Sequence, residues 1–146
     1  MRLTLLIPVL AASLAAQEVP GLSFESFQAW MKVTAVPGYK LAECEQDGGE
    51  YTAAFMGATP QKVLMVRCSP LSSFDDAMRM PGAIQNLKEG LLHGLRTRSY
   101  AMAGMPMLQI ELKAKGCTIG LAGGEGMGAG ELNKFAAGLK LAEKAK

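Results

Sequence analysis

Turn-forming residues punctuate this chain at short intervals, and that punctuation limits what it can fold into. Pro37-Gly38, Asp47-Gly48-Gly49, residues 57–60, Pro81-Gly82, residues 104–106, residues 114–116 and the glycine run 123–130 divide it into pieces the size of single helices and hairpins. Ser23 can cap a first helix over 24–35, with Phe24, Phe27, Trp30 or Met31, and Ala35 on one face. Strands are predicted over 39–44, 51–56 and 63–68, an antiparallel meander. Ser72, with Asp75 as capping-box partner, begins a second helical region that Pro81-Gly82 breaks or restarts. Ile84, Leu87, Leu91 and Leu95 then fit one helical face. Strands over 98–103, 107–113 and 117–122 follow, turning at 104–106 and 114–116. A last helix from Glu131 buries Leu132, Phe135, Leu139 and Ala142. The expected fold class is α+β, an antiparallel sheet of about six strands packed with helices in the order α-βββ-α-βββ-α.

The amino-terminal residues read as an export signal. Arg2 is the only charge before Glu18. Between them lie the apolar residues 3–10 and the small-residue stretch 11–16. Cleavage is expected before Ala16 or Gln17, leaving residues 1–16 as signal peptide and 17–146 as one α+β domain. No second apolar run is long enough to span a bilayer. The protein is therefore expected to be periplasmic or extracellular, without a membrane span after cleavage. The formal charge is +2, or +1 without Arg2, and the basic residues are scattered. That leaves no basic stripe for nucleic acid, and none is expected as a partner. Cys44, Cys68 and Cys117 are an odd set, so at most one intramolecular disulfide and at least one free thiol are expected. A Cys44–Cys68 bridge is disfavoured because their strands should flank a third.

Several motifs suggest chemistry. Gly124, Gly126 and Ala129 match dinucleotide-loop spacing, but no strand follows the helix, so the run reads as a flexible connector. Glu43, Glu45 and Asp47 before Gly48 open like a calcium loop, yet Ala54 stands where the closing carboxylate belongs. His93 among leucines could pair with Cys117 or Cys68 in a thiol enzyme. Met102, Met105 and Met107 form a thioether cluster suited to Cu(I), or to packing and an adaptable contact patch beside Gly104. No cofactor is expected.

The element order, with Pro-Gly-Tyr39 after the first helix and a hairpin around residues 104–106, resembles the Mog1/PsbP-like α/β/α sandwiches. These include many small exported bacterial proteins. The resemblance implies an accessory or binding protein, not an enzyme, and carries over no functional residue. The leading expectation is an exported, non-enzymatic accessory or binding protein of a bacterial-type cell envelope. Its partner is an unidentified envelope or extracellular protein or ligand. The alternatives are a periplasmic copper-binding protein using Met102, Met105 and Met107, and a small thiol- or His-dependent enzyme.

Overall fold

Seven strands form one fully antiparallel sheet, in the order β1-β2-β3-β7-β6-β5-β4. The computed structural model describes residues 19, 21–76, 83–124 and 126–144. The signal segment, Met78, Met80 and Pro81-Gly82 lie outside them. Helix α1 (Phe24–Val33) leads into β1 (Lys40–Asp47), β2 (Glu50–Met56) and β3 (Val63–Pro70). A single turn, α2 (Ser73–Asp76), precedes β4 (Ile84–Leu92), β5 (Leu95–Met102), β6 (Met105–Leu112) and β7 (Cys117–Gly123). The helices α3 (Ala129–Gly138) and α4 (Leu141–Lys144) complete the described chain. Two meanders, β1-β2-β3 and β4-β5-β6-β7, thus meet at the β3–β7 seam, where residues 64–70 pair with residues 117–123.

The expected six-stranded α-βββ-α-βββ-α order is not what the chain adopts. Residues 84–92 are an edge strand rather than a helix. The leucines at 87, 91 and 95 fit a helical face, but the turn at His93-Gly94 places Leu95 on the next strand opposite Leu92, on the core side, while Leu91 pairs with Arg96 and is exposed. Residues at the 85–88 bulge shift the register further. The deciding signal is local. His93 and Gly94 take φ of 50° and 79°, and Ala103 and Gly104 take 51° and 77°. Two successive positive φ values make the tight hairpin turn whose twist suits the flanking strands. The turn after β5 is therefore Ala103-Gly104, one residue earlier than expected, and Met105 begins a strand.

Elsewhere the pattern follows the sequence more closely. Ala35 and Ala142, expected on buried helix faces, are nevertheless exposed because α1 ends at Val33 and α3 at Gly138. Ser23 Oγ accepts the Ser26 N–H at 3.1 Å and caps α1, which buries Phe27, Trp30 and Met31. Alternation in β3 turns Leu64, Val66 and Cys68 to the core and Met65 and Arg67 away. Alternation in β7 buries Cys117, Ile119 and Leu121 beside them. Helix α1 packs on β1 and β2, and α3 on β6 and β7, all on one face of the sheet. The Trp30 indole N–H donates to the Leu139 carbonyl at 2.9 Å and ties the two helices together. Phe55 and Phe135 meet edge-to-face at 5.0 Å beneath them.

Tyr51 organises the amino-terminal end of this core. Its hydroxyl accepts the Val19 N–H at 3.1 Å and donates to the Leu22 carbonyl at 2.9 Å. Its ring lies 5.5 Å from Phe24 and 5.6 Å from Phe27. Tyr51→Phe keeps the ring but removes both bonds and leaves the buried Val19 N–H without its acceptor. The expected loss is about 1–2 kcal/mol in urea unfolding. An unchanged midpoint would show that residues 19–22 dock without help from this hydroxyl.

Candidate functional site

The face of the sheet away from α1 and α3 is only partly covered. Following the registers across the strands gives its side chains in rows. One row runs Tyr100, Met107, Ala122, Met65 and Ala54. The next runs Arg98, Gln109, Gly120, Arg67 and Thr52. A third contains Arg96, Glu111, Thr118 and Ser69. The third row and its corner are closed by α2. Arg98, 6% exposed, is the clamp. Its Nη1 donates to the Phe74 carbonyl at 2.6 Å and to Asp75 at 3.3 Å, and its Nε to Glu89 at 2.9 Å. The guanidinium carbon also sits 4.3 Å from the centre of the buried Phe74 ring. Asp75, expected as a capping-box partner, serves this clamp. Thr118 Oγ1 reaches the Leu71 carbonyl at 3.3 Å.

Beside α2 the sheet face forms a groove of about 720 Å³. Its shape comes from β7, a central strand that offers the small residues Gly120 and Ala122 beside Thr118 here. Met65, Met107, Met102 and Tyr100 rise around them. A Cβ built on Gly120 would meet nothing closer than 3.9 Å, so it would point into the groove without collision. Burial pushes the Tyr100 hydroxyl pKa upward, with Arg67 pulling slightly back, so it stays a neutral phenol. The polar contributors include Thr52, Arg67, Glu50, Ser69, Gln109, Ser73 and Thr118. Glu50 is already occupied, accepting from Ser69 Oγ at 3.2 Å and lying 3.7 Å from Arg67. Gln109 Oε1 is different. It is buried and accepts no hydrogen bond from the described residues, a state that costs desolvation without return.

The sequence-derived candidates fall out unevenly. Met102 and Met105 sit directly opposite each other on β5 and β6, and Met107 lies two residues on along the same face. Met105 is 40% exposed at the hairpin end. His93 occupies the β4–β5 turn. Extending the register places Leu95 beside Leu112, the partner of Cys117, so His93 is at least two strand spacings of about 4.8 Å from Cys117. Glu43, Glu45 and Asp47 line the edge strand β1, and no metal-holding group of His, Cys, Asp or Glu occurs among the described residues. The glycine run is not a simple flexible connector. A Cβ on Gly124 would collide with the Gln61 carbonyl at 2.6 Å, and the Gly124 N–H donates to Met127 Sδ at 3.2 Å. Close backbone approach demands glycine there.

All three cysteines are free. Cys44 and Cys68 are on β1 and β3 with β2 between them. Burial raises the Cys44 pKa, with Lys32 opposing. Among the described residues no helix is long and apolar enough to cross a membrane. No family model, curated protein or solved structure matches this chain.

Sequence reasoning missed Gln109, Gly120 and Tyr100. The available signal was small residues, Gly120 and Ala122, alternating with Ile119 and Leu121 along one strand. It becomes informative only once β7 is known to be central. Gln109→Leu replaces the unpartnered acceptor with an apolar side chain of similar size. In the unliganded protein this should leave stability unchanged or raise it by about 1 kcal/mol, measured by urea unfolding. A clear loss of stability would make Gln109 a structural residue.

Proposed function

We propose that this chain is an exported, non-enzymatic accessory or binding protein of a bacterial-type cell envelope, and that the open sheet face is where it binds. The ligand has an apolar body, which lies on Met65, Tyr100, Met107 and Ala122, and an N–H or O–H group, which donates to Gln109. The observation that carries this reading is Gln109 Oε1, a buried acceptor without a donor among the described residues, in a groove walled by thioethers and a phenol. Such a combination of apolar lining and few polar groups is what ligand sites share. The leader pattern of residues 1–16 supports export, and the Mog1/PsbP-like resemblance supports an accessory role. A thiol- or His-dependent enzyme draws no support from the positions of His93 and Cys117.

The test uses 8-anilinonaphthalene-1-sulfonate, an aromatic body carrying one N–H donor and an anionic group. It should bind the folded full chain saturably at one site. Gly120→Val, which fills the groove from its floor, should weaken that binding at least tenfold while near-UV dichroism stays native. Gln109→Leu should weaken it less. Binding that Gly120→Val leaves intact would rule out the groove.

A second reading rests on Met102 opposite Met105 with Met107 on the same face, three thioethers on one stretch of sheet of the kind that soft Cu(I) selects. It predicts tight Cu(I) binding in a competition titration, lost when all three become Leu. Met-to-Leu changes should cost less than about 1.5 kcal/mol per site, so the triple variant should still fold. Weak binding, unaffected by the triple change, would eliminate this reading.

A further inference from the structure

Cys68 and Cys117 face each other across the β3–β7 seam. Cys68 pairs with Ile119 and Cys117 with Pro70, so the two are diagonal neighbours on adjacent strands and on the same, core, face. Both are fully buried. Diagonal neighbours are roughly 7–8 Å apart at Cα, just beyond the roughly 4.4–6.8 Å that an undistorted disulfide usually spans, so the bond requires the two strands to draw together by about 1 Å. The influence of each thiol on the other pushes the Cys68 pKa up and the Cys117 pKa down, while burial raises both and Lys115 favours a Cys117 thiolate. Cys44 lies on β1, with β2 and β3 between it and the strand of Cys117.

We propose that Cys68 and Cys117 join in a disulfide when the chain folds in the presence of a disulfide oxidant, and that this bond staples the two meanders together. The thiolate of one cysteine attacks the donor disulfide, forming a mixed disulfide and releasing one thiol. The second cysteine, as thiolate, then displaces the other donor sulfur. The protein loses two S–H hydrogens and gains one S–S bond, while the donor disulfide becomes two thiols. The exchange belongs to folding, because in the native protein both sulfurs lie beneath the core layer. Cys68 is directly beside Tyr51, whose hydroxyl holds residues 19–22 in place. The bond closes a loop carrying α2, β4, β5 and β6, a long segment whose unfolded freedom a cross-link restricts strongly. Among the described residues, the seam is also the only strand pairing that joins the meanders. This inference is independent of what the open face binds.

The experiment refolds the reduced full chain in an oxidised/reduced glutathione mixture, then alkylates with iodoacetamide in denaturant and maps peptides without reduction. The expected product has Cys44 alkylated, Cys68 and Cys117 in one linked pair, and a mass lower by about 2 Da than the reduced chain before alkylation. The Cys44→Ala protein should form the same bond and show a urea midpoint that falls on adding reductant during unfolding. The Cys68→Ala/Cys117→Ala protein should show no such reductant effect. Three alkylated cysteines in refolded protein, or a bridge that includes Cys44, would overturn the pairing. A Cys44→Ala midpoint indifferent to reductant would overturn the stapling.

Discussion

The β3–β7 pairing is the constraint on which the rest of this structure depends. Each meander is locally connected by short turns, and such hairpins form with little loop-closure entropy. The pairing of residues 64–70 with 117–123 is different, since it joins segments separated by three strands and a helical turn. Only when it forms does β7 gain neighbours on both sides, with β6 on one and β3 on the other. Ile119, Leu121, Val66 and Leu64 then make one continuous surface on which α1 and α3 can pack. A chain organised in this way should fold late at the seam, because non-local pairing is entropically expensive until the core contacts reward it. The two most buried thiols lie at that junction.

The two faces of the sheet are stabilised by different physics. On one, aromatic and aliphatic side chains are sealed by helices, with hydrogen bonds from Trp30 and Tyr51 fixing the cover. On the other, a single helical turn is held by Arg98, which satisfies its guanidinium through a carbonyl, two carboxylates and an aromatic ring. A nearly buried arginine is tolerable because each face of its charge is matched. Asp75 and Glu89, by contrast, are largely exposed, so their attraction to Arg98 is screened and the Phe74 contacts carry more of the anchoring. Among the described residues, the cover on this face is the part that Arg98 holds, and the groove lies beside it.

Legibility in the sequence followed the same division. Helix α1, the first meander and the closing strand and helix were readable, because Ser23, Pro37-Gly38 and the alternation of Leu64, Val66 and Cys68 act locally. Strand β4 was not. Its leucines recur at helical spacing although a turn falls between Leu91 and Leu95, and His93-Gly94 is an unusual pair for a two-residue turn. The candidate site was less legible still. Met102, Met105 and Met107 could be grouped from their spacing, but Met65 and Tyr100 join them only through strand order. Gln109 carries no local sign of its unpartnered oxygen, which is a property of the assembled face alone.

Gly120 and Ala122 are the residues hardest to explain by stability. A central strand favours β-branched side chains, and glycine weakens it by adding entropy to the unfolded chain and subtracting packing. The backbone at Gly120 has no positive φ that would require glycine, and a Cβ there meets only ordinary contacts. Gly124 and Gly57 differ, since each lies against neighbouring atoms that a side chain would strike. At Gly120 the absent side chain therefore does nothing for the fold. What it does is keep the floor of the groove low between Gln109 and Arg67, next to an acceptor that the described residues leave unpartnered. Stability forgone at two adjacent points on one face is the pattern expected where binding, rather than packing, determines the residue.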